Sequence, residues 1–295
     1  MIHMGSSLTT ASSIRAYVAL LKPRLSLLVA FSCGFGFILA TPGRVDWVRL
    51  LIILTGGFLL SGASVTINQL LEIREDRVMA RTMARPLPTA RVSVVSARNF
   101  AILTFFVSLL LLYYSTNPLT VGLSVLSMVL YSFVYTPLKK VGPIAVFVGA
   151  IPGALPPLLG WVGYSGEISY EALVIFGIQF IWQFPHFWAI AWVADDDYRK
   201  AGFRLLPSGG GRDHNTAIQI MTYTLFLLPL GLIPAWIGLT GINSAVVATL
   251  CGVGFLAQTF SLMKTGSHQS ALRIMFGSFI YLPVVQIAFL LDKIK

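Results

Sequence analysis

The stretch NQLLEIREDRVMARTMARPLP, residues 68 to 88, holds an amide and two carboxylates at four-residue spacing: Asn68, Glu72 and Asp76. On a continuous helix that spacing makes one polar stripe, with about 6 Å of rise between successive side chains. Such a stripe offers hard oxygen donors suited to Mg²⁺, which binds through one or two carboxylates together with a substrate's phosphate oxygens. Arg81 and Arg85 repeat the spacing just beyond, with planar forks that match phosphate geometry, before Pro86 and Pro88 end the helix. The other reading is an interfacial helix laced with four-apart ion pairs.

A second acidic run, Asp195, Asp196 and Asp197, is followed by Arg199, Lys200 and Arg204. Because the three acids are consecutive, at most two face one site and the third looks to water or a neighbouring base. VYTPLKK, residues 134 to 140, adds the hydroxyl of Tyr135 and the point charges of Lys139 and Lys140. These lysines serve either a phosphate or only the orientation of the chain. Lys22 and Arg24 flank Pro23 at the entry of the first apolar run, as phosphate cations or as snorkelling anchors. Two acidic sites among many bases point to an anion held through bridging metal, and a prenyl diphosphate is such an anion with a membrane-soluble tail. Departure of diphosphate from an allylic carbon leaves a delocalised cation, and metal with Arg and Lys stabilises the charge on the leaving group. The acceptor must then attack in a cavity that excludes water.

The elements that position these residues follow from composition. Of 295 residues, 56% are hydrophobic and only 11% charged, and the mean hydropathy is +0.80, which specifies a polytopic membrane protein with no room for a large soluble domain. We read a single all-α membrane domain over 1–295, with spans near 18–40, 47–68, 98–115, 117–136, 142–164, 171–194, 216–238, 242–262 and 271–291. A short leader, 1–17, precedes them without a cleavage site, so the first span is retained; acid-rich loops lie at about 68–97 and 195–215. Prolines inside spans (Pro23, Pro152, Pro156, Pro157, Pro185, Pro229, Pro234, Pro283) mark kinks. Cys33 and Cys251 both fall in apolar stretches and imply no disulfide framework.

With these spans, 17 of 21 bases fall on one face and only Arg44, Arg49, Lys293 and Lys295 on the other. The positive-inside rule therefore puts the N-terminus and the acid-rich loops in the cytoplasm and the C-terminus outside. The same face also collects Glu72, Glu75, Asp76, Asp195, Asp196, Asp197 and Asp213, which orientation alone does not require. Aromatic residues near span ends are ordinary interface usage, and nucleic acid is excluded as a partner. His186 is the histidine placed within a span, beside Phe187 and Trp188; it is either a hydrogen-bonded core residue or a ligand. His3, His214 and His268 fall in the leader or loops.

These motifs resemble those of the UbiA family of intramembrane prenyltransferases. The resemblance rests on NQLLEIRED with RTMARPLP, VYTPLKK, GALPPLLGW (153 to 161), WQFPHFWAIAW (182 to 192) and DDDYRKAGFRLLP (195 to 207). It implies nine spans in a UbiA-type bundle, with Asn68, Glu72 and Asp76 as the first metal and diphosphate motif and Asp196 and Asp197 in the second. It also implies that Arg24, Arg81, Arg85, Tyr135, Lys139 and Lys140 hold the diphosphate. Many members carry aspartate at the position of Glu72 and two aspartates four apart in the second motif, where this chain has Val193 four before Asp197. The RTMARPLP, GALPPLLGW and PHFWA strings imply farnesyl diphosphate as donor and protoheme as acceptor, with Mg²⁺ as bridging metal and a downstream haem-modifying enzyme or terminal-oxidase assembly. Given a haem acceptor, His186, as the histidine within a span, is the candidate ligand of the iron, and a leader too short for a transit peptide gives a bacterial plasma membrane as the expected location. A quinone-precursor aromatic acid as acceptor, or transport of an anionic substrate, are the rival readings.

Overall fold

The computed structural model describes residues 10–294, so the leader up to residue 9, with His3, and Lys295 lie outside it. The described residues form helices and connections with no strand. A helix α1 (Thr10–Leu20) leads into α2 (Pro23–Ala40), α3 (Trp47–Leu71), the short α4 (Ile73–Val78) and α5 (Val94–Ser115). Then come α6 (Pro118–Val129), a π-helical segment (Leu130–Tyr135), α7 (Thr136–Leu138), α8 (Ile144–Ser165) and α9 (Tyr170–Val193). The chain continues through α10 (Asp195–Lys200), α11 (Pro207–Gly210), α12 (His214–Trp236), α13 (Ile242–Thr265) and α14 (His268–Leu291). Nine of these segments among the described residues are long and apolar enough to cross a membrane, with α6, the π segment and α7 forming one of them. The chain is a multi-pass membrane protein.

The expected spans lie within a few residues of the observed ones, with one difference at the start. The apolar run from residue 18 breaks at Lys22, whose φ of 45° and ψ of 66° turn the chain before Pro23 opens α2. Proline suits the first turn of a helix, where its missing N–H costs nothing. A lysine in the left-handed region is strained by about 1–2 kcal/mol. From residue 10 onward the segment read as leader is helical, in α1.

Packing follows a closed order: α2 lies on α3 and α8, α8 on α9, α9 on α12 and α14, and α14 back on α2. Of the nine spans among the described residues α8 is the most enclosed, while α5 presents Leu103, Phe106, Val107 and Leu110 outward, as lipid contact requires. Close approach of α2 and α8 depends on two glycines. A Cβ at Gly160 would overlap the Cys33 carbonyl and the Phe37 amide nitrogen, and one at Gly36 would overlap the Pro157 carbonyl.

Several polar groups at the centre of the bundle are paired with each other, since lipid offers no partner. Pro157 has no N–H to give the Gly153 carbonyl four residues back. That carbonyl instead accepts from Gln179 Nε2 at 2.8 Å and Gln183 Nε2 at 2.9 Å. Gln286 Nε2 donates in turn to Gln179 Oε1 at 2.9 Å and to Ser32 Oγ at 3.1 Å, so amides tie α2, α8, α9 and α14 at mid-span. At the end of the bundle opposite the acid-rich segments, Lys293 Nζ donates to the carbonyls of Ile38 and Thr41, joining the last span to the end of α2.

Candidate active site

The polar stripe is bent rather than straight. Helix α3 ends at Leu71, Glu72 leaves helical geometry at φ −109° and ψ 21°, and α4 starts at Ile73. Two backbone bonds bridge the bend, Glu72 N to Asn68 O at 3.0 Å and Asp76 N to Glu72 O at 2.8 Å, so the three residues keep their alignment. All three are buried: Asn68 is 3%, Glu72 5% and Asp76 0% exposed. An interfacial helix laced with local ion pairs would leave such carboxylates in water. Here their partners come from farther along the chain.

Asp76 accepts both Arg85 hydrogen bonds from one nitrogen, Nη1, at 2.9 and 2.8 Å. Glu72 is paired with Lys139, 67 residues away, whose Nζ donates to Oε2 at 3.1 Å and lies 2.8 Å from Oε1. The ammonium thus straddles both carboxylate oxygens, the nearer contact being to Oε1. Burial by itself pulls the Lys139 ammonium down, but the Glu72 carboxylate more than offsets it and holds it above the ordinary lysine value. The Tyr135 ring lies 4.8 Å from that ammonium and the Phe203 ring 5.6 Å, so aromatic faces cover the charge where water is absent.

Lys22 is the base that the sequence reading undervalued. Its left-handed backbone turns it to the same cluster, where burial and the positive charges of Arg85 and Lys139 lower its pKa to about 7 against the pull of Asp76 and Glu72. Arg24, by contrast, is exposed and makes no ion pair among the described residues. Lys140 also turns away, to a half-exposed pair with Glu75.

The second acidic run separates its members. Asp195 is buried and held by Arg199 at 2.9 Å and Arg212 at 3.6 Å. Asp196 looks outward, its side chain 78% exposed against Arg212. Asp197 is the member that meets the first motif: its Oδ2 accepts from the Arg81 backbone N–H at 3.2 Å, and this bond, aided by Ala80 N–H and Lys200, keeps its carboxyl below the usual range. Arg81 itself is exposed and reaches the Tyr198 hydroxyl at 3.4 Å. The expected pair Asp196 and Asp197 thus splits, since adjacent helical residues point about 100° apart.

Deeper in the bundle, His186 Nδ1 lies 2.8 Å from Ser278 Oγ. Trp182 stacks on the imidazole at 4.4 Å and Phe279 meets it edge-on at 5.0 Å. Trp188 packs on Tyr223 and Phe184, while Phe187 lies 5.6 Å from the imidazole. The signal for Trp182 was its place one helical turn before His186.

Among the described residues no three acidic, histidine or cysteine side chains close around one point. The donor set nevertheless fits Mg²⁺, which needs few protein ligands when phosphate oxygens supply the rest. It comprises the Glu72 and Asp76 carboxylates, now held by Lys139 and Arg85, and the Asn68 amide oxygen.

Comparison with known proteins agrees with this geometry. Residues 28–282 match the sequence profile described as the UbiA prenyltransferase family. The protoheme IX farnesyltransferase of Cytophaga hutchinsonii is 52% identical over 285 residues, 96% of this chain and 99% of that protein. The solved structure of a digeranylgeranylglyceryl phosphate synthase superposes with a TM-score of 0.78 at 18% identity, over 95% of this chain and 98% of that one. A UbiA homolog from Archaeoglobus fulgidus, bound to DMAPP and Mg²⁺, does so at 0.67 and 18%, over 93% of this chain and 99% of that one. The helical bundle, the buried acids with their bases and the match across most of the sequence have one reading: the chain belongs to the UbiA prenyltransferase family.

Proposed function

We propose that this chain transfers a farnesyl group from farnesyl diphosphate to a vinyl substituent of protoheme IX, with water completing the hydroxyethylfarnesyl side chain of haem O and diphosphate leaving. The acceptor rests on the 52% identity to the Cytophaga hutchinsonii protein across nearly the whole chain. Asn68, Glu72 and Asp76 would hold Mg²⁺, with Asp197, joined to the first motif through the Arg81 N–H, as the member of the second motif nearest them in the fold and Asp196 outside the set. When bound, the metal neutralises negative charge on the diphosphate as it departs. Arg85, Lys139 and Lys22 receive the phosphate oxygens, and Arg81 with Tyr198 line the rim. Tyr135 and Phe203 shield Lys139 from water, which strengthens its hold on an anion. The vinyl carbon is a weak nucleophile, so a farnesyl cation is the competent electrophile, and the apolar interior keeps water from it until the new bond forms. We place the basic end of the bundle on the cytoplasmic side of a bacterial plasma membrane, and the C-terminal end outside.

His186 would carry the porphyrin iron. Ser278 Oγ donates its one hydrogen to the Met275 carbonyl at 2.6 Å and must therefore accept from His186 Nδ1–H. Nε2 is left with its lone pair, the arrangement a metal-binding imidazole needs. His186→Ala should abolish the shift of the haem absorption band that binding produces in the parent. Spectra that match the parent's would return His186 to a core role.

Lys22 sets a pH dependence. With its pKa lowered to about 7 by burial and the neighbouring Arg85 and Lys139, its ammonium is progressively lost as pH rises through that region. The concentration of farnesyl diphosphate needed for half-maximal rate should accordingly rise between pH 6.5 and 8.5, by roughly tenfold for the loss of one phosphate contact of about 1.4 kcal/mol. Lys22→Arg should flatten that rise. A parent profile already flat over this interval would remove Lys22 from the phosphate site.

The reaction is tested by incubating detergent-solubilised protein with farnesyl diphosphate and protoheme, with and without Mg²⁺, and weighing the porphyrin. A Mg²⁺-dependent gain of one hydroxyfarnesyl unit is the expected result. Diphosphate release with an aromatic acid and none with protoheme would move the acceptor to a quinone precursor.

A further inference from the structure

We propose that Thr136 is a positioning residue that fixes which atom of the Asn68 amide faces the metal and diphosphate; the inference rests on the reading of Asn68 as a ligand. Both side chains are buried, Thr136 at 4% and Asn68 at 3% exposure. Asn68 Nδ2 donates to Thr136 Oγ1 at 3.0 Å, and Thr136 Oγ1 donates to the Tyr131 carbonyl at 2.9 Å.

A hydroxyl has one hydrogen. Because that hydrogen is held by Tyr131 O, Thr136 Oγ1 faces Asn68 only as an acceptor. The amide's two ends are nearly identical in shape and differ only in hydrogen bonding. Turned the other way, Oδ1 would meet the lone pairs of Oγ1, and the Nδ2 hydrogens would point where a cation must sit. An N–H cannot ligate a metal ion, so one orientation of Asn68 is competent and the other opposes binding. Oδ1, which accepts no hydrogen bond among the described residues, is the atom left to the site.

The π-helical segment explains why the hydroxyl bonds as it does. In an α-helix a threonine hydroxyl returns to the carbonyl three or four residues back. Here it reaches the fifth, from Thr136 to Tyr131, directly after Leu130–Tyr135 has widened to π geometry. Pro137 follows, without an N–H for the carbonyl four residues before it, and its ring needs the extra room. The widened turn delivers Thr136 to Asn68, and one turn on, Lys139 to Glu72. Such insertions in helices are frequent at functional sites.

The test uses the full chain in detergent, with Mn²⁺ as a paramagnetic probe in the presence of inorganic diphosphate, bound metal being counted by electron paramagnetic resonance. Thr136→Val keeps the shape and removes the hydroxyl; it should weaken Mn²⁺ binding by roughly 10–100-fold, the usual effect of removing a partner that orients a ligand. Thr136→Ser should restore binding to within about threefold. The decisive comparison is in an Asn68→Asp background. A carboxylate has two equivalent oxygens and no wrong orientation, so there Thr136→Val should cost less than about threefold. A loss of the same size in both backgrounds, or Mn²⁺ binding by Thr136→Val equal to the parent's, overturns the proposal. Asn68→Ala with parental Mn²⁺ affinity would instead overturn the reading of Asn68 as a ligand, a separate outcome. If Thr136→Val does not purify as a monodisperse protein, Thr136→Ala makes the same comparison with a smaller side chain.

Discussion

Asp76→Asn should lower turnover by roughly 10²–10³-fold while the protein stays folded in the membrane, the scale seen when one charge-stabilising group is removed from an active site. Asp76 is fully buried and its carboxylate takes both Arg85 hydrogen bonds. Asparagine keeps the shape and one acceptor for Arg85, so the local chain need not rearrange, but it removes the negative charge that draws a cation. Glu72→Gln removes the other charge of the stripe and should act in the same direction, with Lys139 still covered by Tyr135 and Phe203. The measurement is the yield of farnesylated porphyrin at saturating Mg²⁺, beside the elution profile and melting temperature of the same preparations. Near-parental turnover in either variant would reduce the stripe to a buried ion-pair network with a structural role only. A collapse of the elution profile would mean instead that the buried pair is needed for folding, and breaking such a pair typically costs about 3–5 kcal/mol.

Gly160→Ala should prevent assembly of the bundle. The added methyl meets the Cys33 carbonyl and the Phe37 amide nitrogen, and both obstacles are backbone, which cannot rotate aside as a side chain can. Overpacking a tight interior costs about 1–3 kcal/mol even where side chains can adjust, and here two spans must separate along their crossing. Gly36→Ala meets the Pro157 carbonyl and should act alike. Gly177 on α9 has open space around its Cβ direction, so Gly177→Ala supplies the control and should leave the melting temperature unchanged or raise it. Size-exclusion profiles of the three variants decide the matter. A monodisperse Gly160→Ala with parental melting temperature would show that α2 and α8 do not approach so closely.

The spans were legible because apolar runs of about 20 residues have few alternatives in lipid. The break at Lys22 was less so, since apolarity continues through it and the cause is one left-handed residue before Pro23. That same φ decides that Lys22 and not Arg24 turns to the acids, and no spacing rule distinguishes two bases flanking a proline. The stripe of Asn68, Glu72 and Asp76 could be read from its period, whereas its bend at Glu72 could not. Lys139 and Lys140 are equivalent in sequence; the π segment gives Lys139 to Glu72 and leaves Lys140 with Glu75. In the second run the limit of two inward acids was available from helix geometry, but the choice of Asp197 over Asp196 depends on where α4 ends and the Arg81 N–H points. Thr136 and Ser278 gave no signal, because a hydroxyl's role depends on which neighbour takes its hydrogen.

The pairing of Asp76 with Arg85 and of Glu72 with Lys139 has a consequence for the order of events. A diphosphate arriving alone would draw both bases away and leave two carboxylates buried without countercharge, at a cost of several kcal/mol per ion. A divalent cation arriving alone would strand the bases in the same way. Arriving together, each takes the partner that the other releases, and no charge is left bare. If these groups hold the metal and the diphosphate as proposed, each occupant should raise the affinity for the other, by the same factor in both directions. Free diphosphate in a metal-poor compartment would then meet acids and bases already matched to each other.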